Sequence, residues 1–323
     1  MFPFDTPKRI KNLSRRLIHN RAALKRDVLL VLEHLWTLPY LLSPFNSETS
    51  TKSELHWKSY NSLFDYINAG FQIAVPIYRK TYSTGTLACN PEHYTHSAES
   101  EKWFFINGIA TPPAVAILNG AELARVFHRP IHLIHTPTFG GAWDFLDSVG
   151  ARTLRKDGEL SRPAYDLVKE ALVTHDKVVL VSHSQGTIVA SYIARKLLKD
   201  KKYRHLAPKL EIYCIAGVAD SFRVDNQLSK QYQRGVPYVE HFVNTLDFFG
   251  RIGVLAHQDH TAGPVYCSDR KGHLLNDHYI APLERGEYCN QQSRFFKYVD
   301  GKQPTDKDFA HHSYHAANLR DYT

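Results

Sequence analysis

The sequence predicts an α/β fold, with a mostly parallel central sheet and helices on both faces, and three observations carry that prediction. Strand-like and helix-like segments alternate from Lys102 onward. The apolar run KVVLV, 177–181, turns through Ser-His-Ser-Gln-Gly into the helix-like IVASYIARKLL. No internal repeat or low-complexity tract offers a solenoid or a disordered chain instead. Alternation at this rhythm needs parallel strands joined by right-handed crossovers, which place helices on both sides of the sheet. At 323 residues and 43% apolar composition the chain can bury one large core.

Residues 1–56 read as a basic, amphipathic N-terminal helical extension and linker. Within 1–26, eight basic residues stand against Asp5 alone, a net +7, so of the formal +8 only +1 is left for the rest of the chain. A nucleic-acid-binding surface spreads its basic residues over a folded face, so no nucleic-acid partner is expected. The apolar run DVLLVLEHLWTLPYLLSPF, 27–45, is interrupted by Glu33 and His34 and divided by Pro39. That argues against a membrane span, and the long basic segment with no small-residue cleavage site argues against a secretory signal. Two readings remain: a helix packed on the core with a solvated basic face, or residues 1–45 lying on an anionic membrane surface. The four cysteines, Cys89, Cys214, Cys267 and Cys289, form no CxxC pair and read as reduced, a Cys267–Cys289 bridge being expected only in a secreted protein. The expected location is cytoplasmic, with peripheral membrane association as an extension of it.

The polar stretch NSETSTKSELH, 46–56, is the linker candidate, and 57–323 is the main domain, with its regular core at about 102–283 and a polar C-terminal tail. WKSYNSLFDYINAGF has helical spacing, QIAVPIYRKTY reads as a strand or a Pro-broken helix, and CNPEHYTHSAESE as a loop. WFFIN is a strand, AVAILNGAELARVFH a helix, PIHLIH a strand and PAYDLVKEALVTH a helix, after which KVVLV leads to the turn at Ser184. LEIYCIAGV, YVEHFVNTL and PVYCSD follow as strands, then a helix from Leu274 to Leu283.

Sites in such sheets lie at the carboxyl ends of the strands. There Ser184 sits on a turn so sharp that the residues two places before and after it must be small, and Ser182 and Gly186 are. The turn aims a helix N-terminus at the hydroxyl, with the N–H of Gln185 facing a developing oxyanion. A serine hydroxyl needs a base and the base an orienting acid. Asp247 ends the strand VEHFVNTLD and His273 follows 26 residues later, before the next helix. Asp220, after LEIYCIAGVAD, is the alternative acid, and His278 the alternative base. In a regular helix, five residues of separation turn His278 by about 140° from His273, so only one of them faces the serine. The second oxyanion donor is expected in Asn107-Gly108-Ile109, from Ile109, with Ala110 next.

These residues resemble the α/β-hydrolase superfamily, in particular lipase-like and esterase-like members whose elbow reads HSQG, over about 102–283. The resemblance implies the α/β-hydrolase fold, Ser184 as nucleophile, His273 as base, Asp247 as acid, an acyl-enzyme intermediate and no cofactor. The substrate it implies is a carboxylic ester, a lipid ester included. Ser182 stands where the family's first elbow glycine would be, and it is still small. Thioesterases, amidases and acyltransferases share the same triad logic, and a catalytically inactive interaction or membrane-docking protein is the alternative of a different class.

Two other features bear on chemistry. His257-Gln-Asp-His260 and His311-His312-Ser-Tyr-His315 lack the H-E-x-x-H pattern, so no metal is expected. The loop PTFGGAWDFLDSVGARTL, 137–154, carries Phe139 and Trp143, which are candidates to line an acyl pocket or to anchor the loop on the core.

Overall fold

The computed structural model describes residues 21–42, 52–74, 88–89, 100–108, 111–136, 157–223, 237–288 and 293–304. Its strands are β1 (Ala88–Cys89), β2 (Glu101–Ile106), β3 (Ile131–Ile134), β4 (Lys177–His183), β5 (Leu210–Ile215), β6 (Tyr238–Asn244) and β7 (Val265–Ser268). They form one sheet in the order β1-β3-β2-β4-β5-β6-β7. Only β1 is antiparallel to its neighbour, so six strands make an all-parallel centre.

Alternation along each strand divides the core in two. Trp103 and Phe105 of β2, Val179 and Val181 of β4, and Tyr213 and Ile215 of β5 point to one face. There they meet α3 (Pro113–Phe127) and the C-terminal segments. Phe104, Ile106, Val178, Leu180, Ile212 and Cys214 point to the other face, against α4 (Asp157–Thr174) and α5 (Gly186–Lys199). Strands buried on both faces must be apolar throughout, which is why KVVLV and LEIYCI read as continuous runs. The α4 helix opens at Asp157, ahead of the Pro163 where the sequence placed its start.

The chain passes from β2 to β3 on one side and then returns across β2 to β4 on the other. The direction therefore reverses between β2 and β4, and ligands bind at the strand ends of such a switch point. At the opposite edge, charged side chains tie the sheet together: Lys177 Nζ donates to Glu101 at 2.8 Å, Arg294 pairs with Glu211, and Ser293 Oγ donates to Glu240 at 2.9 Å.

The N-terminal α1 (Arg21–His34) and a 3-10 turn, Leu35–Tyr40, pack over the site-bearing edge. Val31 and Leu41 rest on Ile188, Val218 and Phe249. From the end of the polar stretch, Ser53 and Glu54 are buried, and Glu54 accepts hydrogen bonds from Asn119 Nδ2 (3.1 Å) and the Asn276 N–H (2.9 Å). These residues pack on the main domain. The α2 helix (Leu63–Ala74) continues three residues into QIA, which resolves that part of the strand-or-helix alternative. Cys214 and Cys267 are free thiols, so Cys267 takes no part in a bridge to Cys289. Among the described residues no helix is long and apolar enough to cross a membrane.

Candidate active site

Between β4 and α5 the backbone makes the tight turn that the sequence demands. Ser184 has φ +52°, the left-handed region that a serine occupies only when its surroundings compel it. Its N–H donates to Ile215 O (2.9 Å), and its carbonyl accepts from Thr187 N (3.0 Å) and Thr187 Oγ1 (2.7 Å). Thr187 Oγ1 in turn accepts from Val218 N at 3.1 Å. Smallness is enforced from outside the turn, because a Cβ on Gly186 would lie 2.6 Å from Ile106 O and 2.9 Å from Asn107 O. A Cβ on Gly108, at the end of β2, would lie 2.8 Å from Ser184 Cβ. The β2 and β4 ends thus touch at the switch point.

The candidate acid and base, Asp247 and His273, lie on the loops after β6 and β7. Asp247 is fully buried and caps the turn Phe248–Gly250, its Oδ1 accepting from Phe249 N at 2.9 Å. Its Oδ2 accepts from His273 Nδ1–H at 2.8 Å and from the Tyr279 hydroxyl at 2.5 Å. Burial, followed by the charge of Asp247, pushes the Tyr279 phenol well above its usual range, so it stays a donor. Asn244 fixes the loop that carries His273, since its Nδ2 donates to Gly272 O (3.2 Å) and His278 O (3.1 Å).

His273 is held on every side except one. Its N–H donates to Leu41 O at 2.8 Å, its carbonyl accepts from His183 Nε2–H at 3.0 Å, and its ring lies against Phe249 and His183, with centroids 4.5 and 4.8 Å away. Burial, and then the neighbouring His273, hold the His183 imidazole well below the usual histidine range, so it is neutral and its Nδ1 carries no proton. What stays unpaired is informative. His273 Nε2 and Ser184 Oγ are both buried, and neither has a hydrogen-bond partner among the described residues. Other buried polar atoms also lack a partner, Asn119 Oδ1 and His241 Nδ1 among them, but these two belong to a serine in a strained backbone conformation and to an imidazole already held by a carboxylate.

The structure therefore joins Asp247 to His273 and sets His273 beside the elbow residue His183. Asp220 lies half-buried beyond β5. His278 is used structurally: its Nδ1 accepts from Leu274 N at 3.0 Å and its ring fills the space over Gly272, where φ is +96°. The segment Leu275–Ile280 is a π-turn leading into the helix Ala281–Glu284, so His273 precedes the helical segment and is not on it. Gln185 forms the N-terminal boundary of α5. Ile109, Ala110, Phe139 and Trp143 lie outside the described residues. Sequence reasoning missed His183, Asn244 and Tyr279. Only His183 carried a signal, its adjacency to Ser184. Among the described residues no group of three or more His, Cys, Asp or Glu side chains is placed to hold a metal ion. Comparison with known proteins finds no family model that matches this chain and no curated protein similar to it.

Proposed function

We propose that this protein is a serine hydrolase of carboxylic esters, built on an α/β-hydrolase fold, with Ser184 as nucleophile, His273 as base and Asp247 as acid. In this reading Ser184 Oγ attacks the ester carbonyl carbon while its proton passes to His273 Nε2. Asp247 steadies the resulting imidazolium through Nδ1–H. The imidazolium then gives its proton to the departing alkoxide, leaving an acyl-enzyme that water cleaves by the same relay. The carbonyl oxygen gathers negative charge during attack and is directed at the start of α5, where Gln185 N–H and the end of β2 lie.

The observation that carries the proposal is the Asp247 to His273 Nδ1 hydrogen bond, which leaves a buried Nε2 without a partner among the described residues. A six-strand parallel sheet, an elbow after β4, and acid and base on the loops after β6 and β7 support it further. Such nucleophile to base hydrogen bonds commonly close only when substrate binds. The test is labelling with a fluorophosphonate probe, followed by a series of esters of increasing acyl length. Labelling is expected at Ser184 alone, with loss of both labelling and hydrolysis in Ser184→Ala. Full ester hydrolysis by Ser184→Ala would overturn the assignment.

A further inference from the structure

We propose that the outward face of α1 and of the 3-10 turn after it is a docking surface for an anionic lipid bilayer. A helix on the surface of a water-soluble protein buries its apolar residues and exposes its polar ones. This one does so only in part: Val31 packs on the core, while most of its large apolar side chains face away from it. Asp27 and Thr37 are buried against the protein and His34 is half-buried beside them. Val28, Leu29, Leu32, Leu35 and Trp36 face outward, with Leu29, Leu32 and Trp36 exposed to 53%, 58% and 53%. Side chains that folding would have gained by burying are left in water, which indicates that something else covers them.

Charge identifies the occupant. Lys25 and Arg26 are exposed at the start of the apolar row, and they end the stretch 1–26, with its eight basic residues and one acid. At the far end the folded body supplies two more cations. The Arg251 guanidinium lies 5.4 Å from the centre of the Trp36 ring, and Lys271 Nζ lies 4.1 Å from that of Tyr40. Glu33 is the only exposed acid in the described part of α1. An apolar stripe edged by lysine and arginine, with tryptophan and tyrosine among the cations, matches the layers of an anionic bilayer surface, acyl chains below and phosphates above. A second copy of this chain would bring the same positive rim against itself.

This surface stands on burial and charge, and it holds whether or not Ser184 is a nucleophile. The full chain carrying Ser184→Ala, which keeps the vesicles intact, is sedimented with phosphatidylglycerol vesicles and with phosphatidylcholine vesicles. Binding is expected to the anionic vesicles, to weaken with added salt, and to fall by about tenfold for each leucine removed in Leu29→Ser with Leu32→Ser. A second measurement does not depend on that variant folding. Lipids brominated along their acyl chains should quench tryptophan fluorescence in the bound protein, and Trp36→Phe should remove that quenching. Unchanged binding by the folded double serine variant, no anionic binding at all, or quenching that persists in Trp36→Phe would each overturn the proposal. So would a self-association of the full chain that the serine changes abolish, in the absence of vesicle binding.

Discussion

Tyr279 reaches the proposed base, His273, through Asp247. Its hydroxyl donates to Oδ2 at 2.5 Å and accepts the Asn244 N–H at 3.1 Å, so Tyr279→Phe removes one donor from the acid and orphans a buried amide. Losing those bonds costs about 1–3 kcal/mol of stability. The proposed reaction should lose about tenfold in kcat with KM unchanged, because the carboxylate is less well fixed only when the imidazole is charged. Steady-state kinetics on a short acyl ester, beside urea unfolding, measures both effects. At this scale the Asp247–His273 pairing and the tight turn at Ser184 were legible in the sequence, because each residue follows an apolar strand at the carboxyl edge of the sheet. Tyr279 was hidden inside a stretch that reads as helix, and its partner lies 32 residues earlier in the chain. A long-range pairing of that kind leaves no local pattern to read.

The elbow is a property of two elements at once, since β2 sets the space in which the turn between β4 and α5 must fit. Gly186→Ala brings a methyl to 2.6 Å from a backbone oxygen that cannot swing aside. Alanine gains up to about 1 kcal/mol over glycine in a helix. The overpacking cost of about 1–3 kcal/mol exceeds it, so a net loss of stability is expected in urea unfolding. The strands were legible because period-two alternation and doubly apolar runs are strong signals, and β2 through β7 all fall where the sequence placed them. Boundaries were less so. Pro163 looks like a helix start yet sits inside α4, and Leu275–Ile280 departs from regular helical spacing. Packing at the ends of elements decides these details, and local preference only suggests them. Between the two readings of the N-terminal segment the sequence did not choose, for a related reason: it shows which residues of α1 are apolar, whereas the fold decides which way they turn.

For the molecule as a whole, acid and base conditions act on different buried groups. Burial pushes the Glu54 carboxyl up to about 7, so the folded protein keeps a proton that the unfolded chain releases above about 4.5. Stability that is present below that point is lost as the pH rises through about 7. His241 runs the other way. Burial lowers its imidazole to about 4, so stability falls as the pH drops from about 6.5 toward 4, where the unfolded chain takes up the proton first. Glu54→Gln removes the first effect alone. Between pH 4.5 and pH 8 the stability difference between variant and wild type should move by about 3 kcal/mol in favour of the variant, read from urea unfolding at both pH values. A constant difference would show that the carboxyl stays ionised in the fold.

The amide of residue 273 finds its acceptor at residue 41, near the other end of the chain. Synthesis runs from the N-terminus, so the acceptor emerges long before the loop that needs it and must wait, apolar face and all, until β7 has followed. The imidazole is therefore among the last groups to reach its place. A nascent chain still held at the ribosome short of this point has Ser184 and Asp247 but no imidazole seated beside them.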